Sequence, residues 1–394
     1  MNPSSFEKFT NLEIEKLSEC LLNHDSSISW PALFESEFKK YIGCNYAIAC
    51  NSGTSGLHAA LYAASVKPGD EVILPGLTVV MDAFVILQMG AFPVFADVNR
   101  KTHLIDPEDI QKKITNKTKA IITVSWEGLM CDMNTINQIA KENKLIVIDD
   151  SARTVDGYYN NKIAGNAADI TVFSFEAKKH LTCGGEGGMI TTNNPELATR
   201  ARKFAGIGYK HLTANAGETH LARADVQDPD YKRFDTVGLN YRMNDVSAAV
   251  GIAQLSRVKE IVGQRKIVGN LFKDAIGNKY PWFLPQHTPK NIIHAYYTFS
   301  CEYIAELAGG KTWKSFYEEF IKRGGDGFYG SVANPYLEPA IINIFKKDFK
   351  REYCLCSNAE RLQKSVMCFK TNYRDTEKAE CQLNILLNLL DEWV

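Results

Sequence analysis

The sequence has little of what marks several common classes of protein. Its 45 basic and 46 acidic residues give a net charge of −1, so no excess of one sign favours nucleic acid or an anionic membrane. It has no apolar run long enough to span a bilayer, and its first residues, MNPSSFEKFTNLEIEK, lack the apolar core of a signal peptide. We therefore expect a cytoplasmic protein whose partners are small molecules, with neither nucleic acid nor membrane among them.

The sequence also lacks clear signals for a metal or a nucleotide phosphate loop. Cys354 and Cys356 are the closest pair among ten scattered cysteines, and a C-x-C spacing alone is a weak ligand signal. Reduced core or surface thiols are the favoured interpretation, in keeping with a reducing compartment, and we predict no bound metal. The stretch AELAGGKTW has Ala305 where the first glycine of G-x-x-x-x-G-K-T should stand, so it is not a P-loop.

What the sequence does have is an alternation of short β-rich segments with helical patterns. Its 394 residues, 45% of them hydrophobic, suffice for a large core and for two or three lobes. Strands are predicted at 71–77, 92–98, 119–126, 144–150 and 170–175, and helices at 56–65 and 133–143. This order is typical of βαβ units and of a largely parallel sheet covered by helices on both faces.

The pattern changes near residue 255. A long helical stretch at 244–276 is followed by mixed strands and helices, which indicate a smaller α+β unit. We therefore predict a large domain over residues 1–255, which includes an N-terminal helical segment, and a small domain over 256–394.

Ligands of an open α/β sheet bind beyond the carboxyl ends of its strands, where two polar segments should meet. CNSGTSGLHAAL is a small polar turn that opens a helix, and its free N–H groups and helix dipole suit a phosphate, although an ordinary N-cap explains it equally well. LIVIDDSAR ends a strand on Asp149 and Asp150, which strand alternation sends to opposite faces. One of these acids is expected to face the site, unless both are solvated caps of the strand end.

A third segment at the same edge is FSFEAKKHLTCGGEGG, with two lysines beside four glycines. A lysine that is partly desolvated at the end of a buried strand has a lowered pKa, so its free amine can attack an aldehyde. Glycines allow the backbone to approach a planar ligand closely. A phosphate cradle, an acid for a pyridinium N–H and a lysine able to form a Schiff base together match the needs of pyridoxal phosphate.

Five motifs in order carry a resemblance to a known family: NSGTSGL, VILPGLT, VIDDSA, SFEAKKHLTCGGEGG and GLNYRMNDVSAA. Over roughly residues 40–255 the chain resembles the DegT/DnrJ/EryC1/StrS sugar aminotransferases. The resemblance implies a fold-type I α/β structure, with a mainly parallel seven-stranded sheet between helices and a smaller α+β domain. It also implies pyridoxal phosphate-dependent amination of a keto sugar, most often nucleotide-linked, with glutamate as donor. The setting would be the biosynthesis of polysaccharide or lipopolysaccharide, such as O-antigen.

The resemblance also implies roles for individual residues. The Schiff-base lysine lies six positions into the segment that starts at Ser174, which gives Lys179 and leaves Lys178 a bystander. Asp150 would pair with the pyridine nitrogen. The remaining implied cofactor contacts are the phosphate-binding Ser174, the phosphate turn of Gly53, Thr54 and Ser55, Arg153 at the phenolate oxygen, and Asn240 at the phosphate of a neighbouring subunit. A homodimer with shared sites follows, unless Asn240 only caps a helix.

Several positions depart from the family pattern. Arg153 stands where relatives have Gln or His, which leaves its contact open, and Val79 stands where an aromatic residue stacks on the ring. SWEGLMCDM at 125–133 replaces the usual histidine-tyrosine-glycine stretch, so Trp126 and Glu127 are candidates for substrate contact. For Trp126 a place in the core is the alternative. The segment 322–341 is either a loop that faces sugar or an ordinary connection.

Two other functions are compatible with the same fold. Some relatives carry histidine in place of the lysine and are sugar dehydratases, and a regulator could keep the fold without turnover. The presence of both Lys179 and Asp150 argues against these alternatives.

Overall fold

The computed structural model of the protein describes residues 7–23, 29–215, 227–331, 334–349 and 355–394. A sheet of seven strands forms its centre, in the order β1-β9-β8-β5-β4-β2-β3. These strands are β1 (Tyr46–Cys50), β2 (Glu71–Pro75), β3 (Phe92–Ala96), β4 (Thr118–Val124), β5 (Ile146–Asp150), β8 (Ile170–Ser174) and β9 (Gly188–Thr192). Only β9 runs against its neighbours, which confirms the mainly parallel seven-stranded sheet.

The strands of this sheet are short apolar runs, as expected of a parallel sheet covered on both faces. The helices of this part are α1 (Asn11–Leu22), α2 (Trp30–Ile42), α3 (Gly53–Ala63), α4 (Val80–Gln88), α5 (Pro107–Lys113), α6 (Met133–Glu142), α7 (Pro195–Ala205), α8 (Asp245–Ser256) and α9 (Val258–Ile276). Side-chain caps fix several helix starts: Ser52 accepts from Ser55 N ahead of α3, and Asp132 from Thr135 N ahead of α6.

The helical stretch predicted over 244–276 is helical in the structure, where it is divided into two helices. The chain leaves helical geometry at Arg257, with φ −105° and ψ 8°, and two helices meet there. The side chain of Arg257 is held by an ion pair with Glu13 of α1, at 2.9 Å between Nη1 and Oε1. The break thus coincides with a contact to α1, which is distant in the sequence. The spacing of apolar residues along the chain does not reveal such a contact.

A second sheet is antiparallel, in the order β10-β12-β14-β13. Its strands are β10 (Phe283–Pro285), β12 (Thr298–Tyr303), β13 (Tyr329–Gly330) and β14 (Val366–Lys370), and the helices of this region are α10 (Trp313–Lys322), α11 (Pro339–Ile344), α12 (Ser357–Ser365) and α13 (Thr376–Trp393). Short strands β6 (Tyr158–Tyr159), β7 (Lys162–Ile163) and β11 (Ile292–Ile293) form a third sheet. Turns of other helical types span Trp126–Gly128, Pro335–Leu337 and Phe345–Phe349.

Each of the two larger sheets has its own hydrophobic cluster, and the second is rich in aromatic rings such as Phe283, Phe316 and Phe369. Part of the C-terminal region returns to the first cluster, where Tyr336 lies 5.1 Å from Phe95 between ring centroids. The α+β character of this region is as expected, while the boundary at residues 255 and 256 stays a prediction.

Within the described ranges, no helix combines the length and apolar character needed to cross a bilayer. The nine cysteines of the described part are free thiols, and Cys354 of the C-x-C pair lies outside it. No cluster of three or more potential metal ligands occurs among the residues described.

Candidate active site

The carboxyl end of β5 places two buried aspartates on opposite sides of the sheet. Asp149 accepts hydrogen bonds from the hydroxyls of Thr123 at 2.7 Å, Ser125 at 3.1 Å and Ser151. Asp150 accepts from the backbone N–H of Ala152 at 2.9 Å. Burial raises the pKa of Asp149 to about 6 and also raises that of Asp150, although the positive charges of nearby groups oppose the rise at Asp150.

Those positive groups are Lys179 and Arg153. Lys179 follows β8 in a turn, is half-buried, and its Nζ lies 5.6 Å from the ring centroid of Tyr297. Burial, and then the charge of Arg153, lower the pKa of Lys179, while the charge of Asp150 opposes them. Lys178 is exposed. The structure therefore brings Lys179 and Asp150 together and leaves Lys178 at the surface.

The turn before α3 meets the end of β8 at very short range. A Cβ on Gly53 would lie 2.8 Å from the Cβ of Ser174, and a Cβ on Gly188 would lie 2.4 Å from the carbonyl oxygen of Ser52. Only glycine allows these approaches, which explains part of the glycine-rich GEGG motif. The predicted phosphate turn and Ser174 are thus adjacent.

Not every hydroxyl of this turn is free for a ligand. Ser55 Oγ donates to Asn51 Oδ1 at 2.7 Å, and Ser55 N donates to Ser52 Oγ at 3.1 Å. The N–H groups of Gly53 and Thr54 open helix α3, where a helix has no internal acceptors for them. In the described part of the chain, the hydroxyls of Thr54 and Ser174 make no hydrogen bond. These N–H groups and hydroxyls fit a phosphate. The hydroxyl of Ser55 is already hydrogen-bonded within the turn, so Ser55 would help to bind a phosphate mainly through its position in that turn.

Arg153 is held in a buried assembly of its own. Its Nη1 forms an ion pair with Glu127, whose Oε2 accepts from Thr298 Oγ1 at 2.6 Å. The guanidinium carbon lies 4.3 Å from the ring centroid of Trp126 and 5.1 Å from that of Tyr297. Trp126 is 1% exposed, so the interpretation that it fills the core is confirmed. The carboxylate of Glu127 is occupied by its contacts with Arg153 and Thr298.

Comparisons with known proteins agree with this geometry. Residues 13–372 match the model of the DegT/DnrJ/EryC1/StrS aminotransferase family. The chain belongs to this family. It is 40% identical over 238 residues to GDP-perosamine synthase of Caulobacter vibrioides, which covers 60% of this chain and 59% of that protein. It is 34% identical over 294 residues to GDP-perosamine synthase of Escherichia coli O157:H7, with 74% and 75% covered.

The fold is shared over nearly the whole length with solved members. An aminotransferase from Psychrobacter cryohalolentis superimposes with a TM-score of 0.87 at 27% identity, over 98% of both chains. The chain is therefore a fold-type I, pyridoxal phosphate-dependent aminotransferase. The site fits that cofactor, because a lysine with a lowered pKa, a buried acid and a glycine turn with free N–H groups lie at one sheet edge.

Asn240 is exposed, and its Oδ1 accepts from Arg242 Nε at 3.0 Å. The predicted alternative, that Asn240 caps the following helix, is wrong: Asn244 is the residue that caps α8, where it accepts from Ser247 N at 2.8 Å. The side chain of Asn240 is thus at the surface, next to the segment that precedes the phosphate turn, since Tyr241 O accepts from Asn51 N.

The segment 322–341 also reaches the sheet edge. Asn334 Nδ2 donates to the carbonyl of Gly76, just after β2, at 2.9 Å. Residues 332 and 333 lie outside the described part. A contact of this segment with sugar stays a prediction.

Sequence reasoning missed two groups of the site. Tyr297, which directly precedes β12, has its ring close to Lys179 and Arg153. Nothing in the sequence AYYTF distinguishes this tyrosine from a residue that only packs in the core. Asp82, fully buried in α4, lies beside Asp150. A signal for Asp82 was present, because it is the one acid in the apolar stretch VMDAFVIL.

Proposed function

We propose that this aminotransferase converts a keto sugar, nucleotide-linked, into an amino sugar with glutamate as donor, for polysaccharide or lipopolysaccharide biosynthesis. The observation that carries the reaction is the half-buried Lys179, with its lowered pKa, beside the buried carboxyl of Asp150. The sugar class rests on the similarity to two proteins named GDP-perosamine synthase. A cytoplasmic location, in a compartment that keeps thiols reduced, accords with the free cysteines.

The residues at the sheet edge divide the work between binding and proton transfer. When bound, pyridoxal phosphate supplies an electron sink for the carbon that carries the amino group. Asp150 would hold the N–H of the pyridine ring and favour a positive charge on that nitrogen. Lys179 would hold the cofactor through its Nζ and would serve as the group that accepts and donates a proton. Burial of both groups limits the access of water.

The other predicted contacts anchor the cofactor. The phosphate would lie against the N–H groups of Gly53 and Thr54, the hydroxyls of Thr54 and Ser174, and the turn at Ser55. Arg153 would donate to the phenolate oxygen. Its orientation is set by Glu127 and by the ring of Trp126, so this donor is pre-positioned even though it adds a positive charge near Lys179.

We infer that the active unit is a homodimer, with Asn240 contributing to the partner's phosphate site. The support is that exposed apolar side chains lie close to Asn240 along the chain: Phe234 is 53% exposed, Val237 92%, Leu239 42% and Val246 43%. Exposed apolar side chains that lie together are typical of protein interfaces. A twofold dimer would then carry two equivalent composite sites.

The test of function uses the purified enzyme after glutamate has converted it to the pyridoxamine form. A panel of nucleotide-linked keto sugars is added, and return of the aldehyde form's absorbance identifies the substrate. Mass spectrometry of the product must show nitrogen gained. A product that has lost water without gaining nitrogen would indicate a dehydratase instead. A cofactor spectrum that no amino donor changes would indicate a regulator.

Complementation tests the shared site. Lys179→Ala and Asn240→Ala chains, each poorly active alone, are mixed, unfolded and refolded together. In a mixed dimer one site carries both defects and the other neither, so about half of the activity per mixed dimer should return. If mixed dimers form and stay as inactive as their parents, Asn240 serves its own subunit and the shared site is wrong.

A further inference from the structure

Asp82 is a buried acid that the proposed reaction does not use. It lies in the first turn of α4, is 0% exposed, and is surrounded by an otherwise apolar helix. Its Oδ2 accepts from Thr78 Oγ1 at 2.5 Å. Its Oδ1 meets no donor among the described residues. A fully buried carboxylate with one oxygen unsatisfied is costly, so the ionised form of Asp82 is poorly supported at this place.

Asp82 lies close enough to Asp150 for the charge of Asp150 to act on it. Two carboxylates both lack a donor, so a hydrogen bond between them would require a proton on one of them. Two negative charges near each other in a buried place would also repel each other strongly. A pair with one proton and one negative charge would avoid both the missing donor and the repulsion.

The surroundings decide which acid keeps the proton. Asp150 accepts from Ala152 N and faces the positive charges of Lys179 and Arg153, all of which favour its ionised form. Asp82 receives only the hydroxyl of Thr78, and the same two cations act on it less strongly than burial and the charge of Asp150 do. Burial, and then the charge of Asp150, raise the pKa of Asp82 well above its usual value.

We propose that Asp82 is a positioning residue that stays protonated and donates its O–H to Asp150. Asp150 then keeps a single negative charge for the pyridine nitrogen while its second oxygen is held from behind. The inference rests on the role proposed above for Asp150. In this arrangement Asp82 is an uncharged carboxylic acid that donates a hydrogen bond to Asp150, the acid that binds the pyridine nitrogen.

The proton itself is tested without cofactor, by infrared difference spectroscopy of the cofactor-free protein at pH 8. The C=O stretch of a protonated carboxyl should be present in the wild type and absent in Asp82→Asn. A control is Asp169→Asn, a substitution of an exposed acid directly before β8 that accepts a hydrogen bond from Val147 N of β5 at 2.8 Å. If the protonated band survives in Asp82→Asn, or is never present, Asp82 does not hold the proton.

The effect on the site is read from the bound cofactor's absorbance during pH titration. Asn is neutral and still offers an N–H to Asp150, so Asp82→Asn should leave the spectral midpoint within about 0.3 pH units of the wild type. An ionised Asp82 would predict a midpoint lower by about one unit in this variant, because a negative charge near Lys179 would be lost. That result would overturn the proposal.

A third measurement separates hydrogen bonding from bulk. Asp82→Ala removes the donor, so cofactor should be released about tenfold more readily, and Asp82→Asn should restore most of the retention. Equal loss in both variants would mean that Asp82 fills space only. The infrared result does not depend on turnover, so it can stand even if the proposed sugar amination fails, and it can fail while that function holds.

Discussion

The two sides of the sheet at the end of β5 bury adjacent acids in opposite ways. On one side Asp149 is surrounded by hydroxyl groups, which donate to it and carry no charge. On the other side Asp150 meets Lys179 and Arg153, which are cations, and the carboxyl of Asp82. Burial raises the pKa of both aspartates, so burial alone does not make a reactive site. The charged partners that distant segments bring to one side distinguish the two.

This difference indicates a division between stability and chemistry. Hydroxyl donors can satisfy a carboxylate on the Asp149 side without placing any nucleophile near it. On the Asp150 side the charges of several groups influence one another, and the pKa of Lys179 depends on both Arg153 and Asp150. Substitutions on this side should change the reaction, and substitutions on the Asp149 side should change folding.

The largest effect is expected at Lys179. Lys179→Ala removes the amine that bonds the cofactor and moves the proton, so transamination should fall by several orders of magnitude. Borohydride treatment of the wild type should fix cofactor on this residue, as peptide mapping would detect. Lys178→Ala is the matched control, and its exposed side chain predicts activity near that of the wild type. Label found on Lys178 would contradict the assignment.

The next effect concerns Asp150 itself. Asp150→Asn keeps the shape of the side chain but removes the charge that stabilises a protonated pyridine ring. Cofactor should still bind, while transamination slows by about a hundredfold or more. Single-turnover absorbance changes with glutamate measure this step directly. Asp149→Asn should slow it far less, and a crippled Asp149→Asn enzyme with normal Asp150→Asn turnover would mean that the wrong face was chosen.

The sequence predicted much of this arrangement because its signals are local. The alternation of β-rich and helical segments indicated the parallel sheet. The two aspartates at a strand end and the lysines beside four glycines indicated the site, and the family resemblance chose Lys179 between the two lysines. The partners of those residues are not local. Tyr297 and Thr298 reach Arg153 and Glu127 from more than a hundred positions away, and no periodicity reports such a contact.

The orientation of Arg153 shows the same limit. From the sequence, Glu127 was a candidate for substrate contact, because it lies in the stretch that replaces the family's usual histidine-tyrosine-glycine. In the structure it is 2% exposed and bound to Arg153. Only the fold brings the two segments together, so a sequence pattern can propose charged residues for a site but cannot say which of them neutralise each other.

A smaller effect is expected on the Asp149 side, in the pH dependence of the free energy of unfolding. The pKa of Asp149 is about 6 in the folded protein, raised by burial, against about 3.9 in an unfolded chain. The folded state thus binds more protons between these values, so the free energy of unfolding falls as pH rises through that window. Between pH 5 and pH 8, Asp149 should account for a loss of about 1.4 kcal/mol.

Urea unfolding at pH 5 and pH 8 measures this loss. Because Asp149→Asn lacks the titrating group, its unfolding free energy should decline less over the same range, by about the amount given above. The wild type and the variant would decline in parallel if Asp149 were ionised throughout. That outcome would contradict the raised pKa.

The smallest effect tests how Arg153 tunes Lys179. Arg153 lowers the pKa of Lys179, second only to burial, so Arg153→Gln should raise that pKa. The pH dependence of pyridoxal phosphate capture by the cofactor-free protein reports this pKa, because only the neutral amine reacts. Its midpoint should move to higher pH.

The single substitution also leaves Glu127 buried without its cation, which destabilises the fold and adds a negative charge near Lys179. Arg153→Gln combined with Glu127→Gln removes both charges of the pair, so the midpoint should move back only part of the way to that of the wild type, because Glu127 acts on Lys179 less strongly than Arg153 does. Circular dichroism must show that both proteins are folded. If the single and double variants shift the midpoint equally, the charge of Glu127 does not reach Lys179. If neither shifts it, burial alone sets the pKa of the lysine, and the contrast between the two sides of β5 does not extend to Arg153.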